Sequence, residues 1–193
     1  MLIRLETKRI TIRNLVREDW ADCQRLQLEV GVNDATLGAE QAAAATARWF
    51  EWTIQSYEQL ALLRQPPYGE RAIISRDTGA FVGLIGLVPV LAPFAQLASR
   101  GGVVNAPFSP EVGLYWALLP EQRGQGYATE AARELAAFAF DALRVTRVVA
   151  CTTYDNPRSV AVMRRIGMHV ERNPAPDPSW FQEIGLLEAG VRR

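Results

Sequence analysis

The sequence has few of the residues that build metal sites. Its 193 residues include two cysteines, Cys23 and Cys151, and one histidine, His169. None of the three lies at the spacing of metal ligands, and a structural zinc ion needs four such donors. The composition therefore excludes a cysteine and histidine metal site. Because the two cysteines fall in patterns typical of a helix and a buried strand, the sequence predicts a reduced, cytoplasmic protein without a disulfide.

The chain also lacks an excess of charge of either sign. Twenty-one basic residues balance twenty-one acidic ones, and Lys8 is the only lysine. With no net charge, the sequence predicts no nucleic-acid partner and no membrane partner, and the absence of a long apolar run or a secretory signal agrees with this. Any anion must therefore be bound by local geometry. Hydrophobic residues make up 49% of the chain, enough for one domain over residues 1–193 with a substantial core.

Hydrophobic periodicity predicts alternating strands and helices. A strand at Ile10–Arg13 precedes a helix that ends near Val30, and Asp77-Thr78-Gly79 joins two strands in a hairpin. A long second helix follows from residue 38 to 63, and one face of it is predicted to pack on a sheet. That face consists of Trp49, Phe50, Trp52, Ile54, Tyr57 and Leu60.

The second half of the chain begins with a long irregular segment, Leu91–Pro110, followed by a strand from residue 111 to 119. A helix after residue 126, a buried strand at 145–154, a short helix capped by Asn156 and Gly167, and two closing strands complete the pattern. No repeat or linker divides the chain.

A glycine-rich loop joins the strand at 111–119 to the following helix. It consists of Arg123, Gly124, Gln125, Gly126, Tyr127 and Ala128. Backbone N–H groups at a helix N-terminus form an anion site. A Walker loop would end in Gly-Lys-Ser or Gly-Lys-Thr, which the chain lacks, and a dinucleotide loop would need a third glycine. Both of these readings are therefore rejected.

The remaining pattern, Arg123-x-x-Gly126-x-Ala128, is that of a loop that binds the pyrophosphate of acyl-coenzyme A (acyl-CoA). Here the chain resembles the GNAT superfamily of N-acetyltransferases, and within it the branch similar to RimJ and RimL, which acetylates ribosomal-protein N-termini. The resemblance rests on three segments in order, "TKRITIRNLVREDW", "EVGLYWALLPEQRGQGYATEA" and "NPRSVAVMRRIGM". It implies an α/β fold of the α+β type, with a mixed, mostly antiparallel central sheet of about seven strands and about four helices.

The resemblance also implies where acetyl-CoA binds. The pyrophosphate would lie on the backbone of the loop, with Thr129 at the start of the helix. The pantetheine arm would lie along Trp116, Ala117 and Leu118. Asn156 would contact the arm, although plain N-capping of the next helix explains this residue equally well.

Two residues are the candidates for catalysis. Acetyl transfer to an amine needs a base for the nucleophile and a proton for the departing thiolate. Glu111 is the predicted base, because it lies upstream of the cofactor segment on the same strand; the alternative is a solvated glutamate at a strand start. Ser159 is the predicted proton donor, because Met163 stands where many relatives have tyrosine; the alternative is a first-turn hydroxyl. Tyr154 is a weaker substitute, and Glu183 is the next choice as base.

The resemblance favours a peptide or protein N-terminal α-amine as acceptor, while an aminoglycoside-like polyamine and a small metabolite amine stay open. The walls of the acceptor site are expected to come from the segment Leu91–Pro110, the aromatic second helix and the C-terminal "PAPDPSWFQE". A rival hypothesis is a GNAT-like module that binds acyl-CoA without turnover. Both a monomer and a homodimer are compatible with the sequence.

Overall fold

The computed structural model describes residues 3–30 and 38–190. In that part of the chain it contains four α-helices and eight strands. The helices are α1 (Trp20–Val30), α2 (Ala39–Leu62), α3 (Tyr127–Asp141) and α4 (Pro157–Arg165). The strands are β1 (Arg4–Glu6), β2 (Ile10–Asn14), β3 (Gly69–Ser75), β4 (Phe81–Ala92), β5 (Ser109–Leu118), β6 (Arg147–Thr152), β7 (His169–Arg172) and β8 (Glu183–Glu188).

The strands form a mixed sheet in the order β1-β2-β3-β4-β5-β6-β8-β7. The pairs β1–β2, β2–β3, β3–β4, β6–β8 and β7–β8 are antiparallel, and β5 runs parallel to β6. The predicted fold class is therefore confirmed, with eight strands instead of about seven. The strand that the sequence did not reveal is β1, whose three residues are too few to show a periodic pattern.

By its internal contacts the chain divides into two compact units. The first contains the residues up to Leu87 together with Tyr115–Glu134, and the second contains Val88–Leu114 and the residues from Leu135 onward. The strands β4 and β5 and the helix α3 contribute residues to both units. The single domain over residues 1–193 stays a prediction.

The core of the first unit lies under α1 and α2. Phe50 and Tyr57 of α2 are buried with Cys23 and Leu26 of α1. Buried positions on α2 follow the helical spacing 46, 50, 53 and 57. The predicted aromatic face is thus correct for Phe50 and Tyr57 but wrong for Trp52, which falls off this stripe and is 61% exposed.

The second unit has its own core, in which Phe94 packs edge-on against Phe181 with 5.2 Å between ring centroids. The predicted irregular segment is shorter than expected, because β4 continues to Ala92 and β5 begins at Ser109. The intervening residues form two short 3-10 turns, at Phe94–Gln96 and Ala98–Arg100. Within the described residues, no helix is both long and apolar enough to cross a membrane.

Close approach of two strands in the first unit requires glycine at position 83. A Cβ atom there would lie 2.2 Å from the carbonyl oxygen of Ala117 and 2.8 Å from the Cα of Leu118. We expect Gly83→Ala to lower the free energy of unfolding by about 1–3 kcal/mol, as overpacking does elsewhere. Urea unfolding measures this. Gly38→Ala is the control, since a Cβ at position 38 has no neighbour within 4 Å; an equal loss in both variants would contradict the steric explanation.

Candidate active site

The loop between β5 and α3 has the backbone that its two glycines predict. Gly124 has φ 78° and Gly126 has φ 85°, values in the left-handed region that L-residues avoid. Gly124, Gln125 and Gly126 are exposed, so their backbone is open to a ligand. Two glycines in seven residues are therefore explained by the turn that the chain must make before α3.

The N-terminus of α3 offers hydrogen-bond donors beside this turn. The first backbone bond of the helix runs from the N–H of Glu130 to the carbonyl of Gly126, at 3.0 Å. The N–H groups of Tyr127, Ala128 and Thr129 precede this bond and have no intrahelical acceptor. Together with the helix dipole they suit a pyrophosphate group, so the residues present fit the cofactor that the loop pattern implies.

The sequence did not reveal the residue that anchors the loop, Arg9. Its guanidinium donates to the carbonyl of Gln125 at 2.9 Å and pairs with Glu130 through Nη2 at 2.6 Å. It also stacks 4.8 Å above the ring of Tyr127. Thr7 donates to the same Glu130 carboxylate at 2.5 Å. The turn between β1 and β2 thus holds the glycine loop at Gln125 and the first turn of α3 at Glu130, through contacts more than a hundred residues apart in sequence.

The predicted pantetheine segment, Trp116 to Leu118, ends β5. The register of β5 on β6 comprises two pairs, Val112↔Val148 and Gly113↔Val149, both upstream of that segment. The side chain of Arg123 donates from Nε to the carbonyl of Leu118 at 3.0 Å. Arg123 therefore holds the loop against the end of its strand.

Asn156 and Ser159 form the predicted cap of α4. The Asn156 side-chain oxygen accepts from the N–H of Ser159 at 3.1 Å, and its amide donates to Thr152 at 3.0 Å. The N-capping role is thus confirmed, and contact with a cofactor stays a prediction. The hydroxyl of Ser159 has no hydrogen-bond partner in the described part of the chain, so it is free to donate.

The other residues near this part of the chain are less suited to protonate a thiolate. Met163 is fully buried and packs against Gly185. The hydroxyl of Tyr154 donates to the carbonyl of Asn173 at 2.5 Å, and Arg172 stacks 4.1 Å above its ring. His169 lies exposed at the start of β7. Of the groups considered for thiolate protonation, Ser159 is the one with a free hydroxyl.

Glu111, the predicted base, forms an ion pair. Its carboxylate accepts a short hydrogen bond from Arg147, and Arg147 also bonds to Glu188 at 3.2 Å. The side chain of Glu111 is 13% exposed. Protonation of Glu111 would break this ion pair, a cost that the sequence did not reveal because Arg147 is 36 residues away.

Covalent catalysis by cysteine has no support in this geometry. Burial raises the pKa of the Cys23 thiol to about 12, with a further contribution from nearby carboxylates, and burial does the same for Cys151. A thiol with such a pKa is not a nucleophile at neutral pH. Within the described residues no group of acidic, cysteine and histidine side chains could hold a metal ion.

Residues 9–169 match the family described as "Acetyltransferase (GNAT) domain". This range contains the glycine loop, β5 and the cap of α4. The chain belongs to the GNAT acetyltransferase family. Members of this family bind acetyl-CoA, in agreement with the donors at the start of α3.

Solved structures of GNAT proteins share the fold. An acetyltransferase from Agrobacterium tumefaciens is 24% identical over 97% of this chain and 95% of its own, with a TM-score of 0.68. The ribosomal-protein-S5-alanine acetyltransferase of Vibrio fischeri is 12% identical over 99% of both chains, with a TM-score of 0.66. RimJ of Mycobacterium smegmatis, solved in complex with CoA-disulfide, is 17% identical over 97% of this chain and 87% of its own, with a TM-score of 0.62.

Gly126 is the loop position that we expect to control cofactor affinity. A valine cannot hold φ 85° without strain, so Gly126→Val should distort the N–H groups before α3. We expect coenzyme A binding to weaken by about 2 kcal/mol, roughly thirtyfold, measured by calorimetry. Gly79→Val is the matched control, because Gly79 has φ 71° in the β3–β4 hairpin. Unchanged affinity in a folded Gly126→Val protein would contradict the assignment.

The stability that Glu130 contributes by holding Thr7 and Arg9 should depend on pH. Partial burial favours a higher pKa for Glu130, but hydrogen bonds from Thr7 and Arg9 outweigh it and lower the pKa below its ordinary value. The carboxylate therefore stabilises the fold above the ordinary glutamate pKa of about 4.3, and this contribution is lost as the pH falls through the lower, folded value. We expect Glu130→Gln to be less stable than the native protein at pH 7, with the difference shrinking toward pH 3.5 in urea unfolding. A constant difference would contradict the account.

Proposed function

We propose that this GNAT protein transfers an acetyl group from acetyl-CoA to a primary amine by direct attack in a ternary complex. The observation that carries the proposal is the loop from Arg123 to Ala128, whose positive-φ glycines and free helical N–H groups suit a pyrophosphate. The cofactor supplies an activated acetyl thioester. The residues of the chain have to bind it, orient it, and move protons.

The proposal gives each segment a role. The loop backbone and Thr129 hold the pyrophosphate, and Trp116, Ala117 and Leu118 hold the pantetheine arm. Asn156, besides capping α4, contacts the arm. Ser159 donates a proton to the thiolate, which its free hydroxyl supports.

A protein or peptide N-terminal α-amine is the acceptor that we propose. Support comes from the resemblance to the RimJ and RimL branch and from two structural neighbours of low identity, one named as a ribosomal-protein-S5-alanine acetyltransferase and one as RimJ. The acceptor amine must lose a proton before it can attack, and an α-amine with a pKa near 8 does so readily. We also propose that the protein acts in the cytoplasm, where acetyl-CoA and ribosomal proteins occur.

Thiol release from acetyl-CoA tests the activity. We expect acceptor-dependent release with peptides that have a free N-terminus, and none with the same peptides acetylated at the N-terminus. An aminoglycoside, a polyamine and small amines form the rest of the panel. Release with one of these alone would overturn the choice of acceptor. Tight coenzyme A binding without thiol release in the presence of any amine would overturn the enzymatic proposal and favour the rival binding module. Two observations support that rival, the buried Met163 and the ion-paired Glu111.

Two substitutions separate the roles of Glu111 and Ser159. If Glu111 is the base, Glu111→Gln lowers turnover by roughly a hundredfold and leaves coenzyme A affinity intact. Native turnover with lower stability would instead limit Glu111 to its pairing with Arg147 and leave the base to another carboxylate. We expect Ser159→Ala to slow turnover by less than tenfold, because water can protonate a thiolate. Steady-state kinetics over a pH series, with affinity measured by calorimetry, makes the comparison.

A further inference from the structure

The first unit contains a half-buried carboxylate, Glu70, that takes no part in the salt bridges described above. Glu70, on β3, is half-buried, and the indole N–H of Trp49 on α2 donates a hydrogen bond to it. In the described part of the chain it forms no salt bridge. Its contrast with Glu111 is direct, since the carboxylate of Glu111 is occupied by a guanidinium.

The strand register puts Glu70 on the helix-covered face of the sheet. Glu70 pairs with Gly86 and Ala72 pairs with Leu84, and both Ala72 and Leu84 belong to the core under α1 and α2. Because side chains two apart share a face, Glu70 points to the side on which that core lies. Gly86 contributes no side chain, and a Cβ atom there would lie 3.0 Å from the Cα of Glu70, so the backbones of β3 and β4 approach closely at this position.

Tyr115 of β5 lies on the same side of the sheet as this core. Its ring packs against the same core, and it directly precedes Trp116, where the pantetheine segment begins. Burial, together with the charge of Glu70, raises the pKa of Tyr115 above its ordinary value. Tyr115 therefore stays a neutral phenol at neutral pH, and it belongs to the strand on which the acetyl group is expected.

Several groups face Glu70 and set its proton affinity. Burial raises the pKa of Glu70 above its ordinary value, against its own backbone N–H, Trp49 and the charge of Arg71, which lower it. The facing groups are Trp49 and Tyr57 from α2, Cys23 from α1, Arg71 from β3 and Tyr115 from β5. Arg71 is itself buried, with Nη1 donating to the carbonyl of Gly69 at 2.8 Å. The net result is a carboxylate better suited to accept a proton than an exposed one.

We propose that Glu70, with Trp49 and Tyr115, forms the site for the acceptor amine, and that Glu70 binds the ammonium and accepts its proton. This inference rests on the proposed function and assigns to Glu70 the role predicted for Glu111. An ammonium is the natural counter-ion for a half-buried carboxylate that has no arginine partner, and aromatic rings beside it suit a cation.

The proton balance is complete. One proton passes from the ammonium to Glu70, and the neutral nitrogen then forms the C–N bond to the thioester carbon. The C–S bond breaks, and sulfur keeps its electron pair. The second proton lost by nitrogen equals the one gained by the thiolate, with Ser159 or water between them, and Glu70 returns its proton to solvent. The net products are the acetamide, coenzyme A thiol and one proton.

Glu70→Gln is the variant that tests this assignment, because glutamine still accepts the Trp49 hydrogen bond but neither carries charge nor takes a proton. We expect kcat/KM for a free-amine peptide to fall by roughly a hundredfold or more, with coenzyme A affinity unchanged. The limb of the native pH profile due to Glu70 should disappear, while the limb of the amine itself near pH 8 should persist. Glu58→Gln, at an exposed site on α2, is the control.

Two further measurements do not depend on turnover. A raised folded pKa means that the native protein loses stability as the pH rises above the ordinary glutamate pKa of about 4.3 toward the folded value, so Glu70→Gln should gain stability relative to it over that rise. Calorimetry with coenzyme A present should show the free-amine peptide bound at least tenfold more weakly by Glu70→Gln. The N-acetylated peptide should show no such difference.

The outcomes separate this inference from the proposed function. Absence of thiol release by the native protein with every amine would overturn the enzymatic proposal, while weaker amine binding by Glu70→Gln would still support the site. Native activity that persists in Glu70→Gln with both pH limbs intact, or equal peptide affinity in the two proteins, would overturn the role of Glu70. If Glu70→Gln does not fold, Trp49→Phe removes the indole donor alone, and unchanged acceptor KM and pH profile in it would overturn the assignment.

Discussion

The ion pair between Arg9 and Glu130 is the interaction on which the cofactor loop depends. A carboxylate in the first turn of α3 suits the helix dipole, but it would repel a pyrophosphate bound at the same helix end. Arg9 neutralises that charge at 2.6 Å and also holds the carbonyl of Gln125. The loop therefore combines an acidic helix start with an anion site. The positive-φ glycines shape the turn, and the turn between β1 and β2 keeps it in place.

The acidic groups of the protein differ in their partners more than in their positions along the strands. Glu111 is held by Arg147, and Glu130 is held by Arg9 and Thr7, so both carboxylates stabilise the fold while ionised. Glu70 receives one hydrogen bond from an indole and sits where burial favours its neutral form. A group that is costly to keep charged in the free protein is well placed to gain from binding a cation. The acceptor site is assigned to Glu70 on β3 because of this difference in surroundings. The position of Glu111 upstream of the cofactor segment on β5 does not outweigh it.

Local chemistry made part of this structure predictable. The limits of α4 could be predicted from Asn156, Pro157 and Gly167, and the left-handed turn from the two glycines of the cofactor loop. Each of these effects acts over only a few residues. The prediction that Trp52 lies on the packed face of α2 was wrong, although the helical spacing of Phe50, Thr53 and Tyr57 could have shown this. Arg9 could not be recognised, since its partner Glu130 is 121 residues away. Glu70 was missed for the same reason, because strand register and helix packing bring Tyr115 and Trp49 to it.

Backbone amide shifts during a titration with coenzyme A measure the central claim most directly. The account places the pyrophosphate on N–H groups of the loop and the first turn of α3. In ¹H–¹⁵N spectra we therefore predict the largest downfield shifts at the amides of residues 124–129. Pantetheine, which lacks the pyrophosphate, is the control ligand and should leave the resonances of these amides nearly unchanged. Saturable coenzyme A binding that shifts other amides and leaves residues 124–129 unchanged would contradict the account.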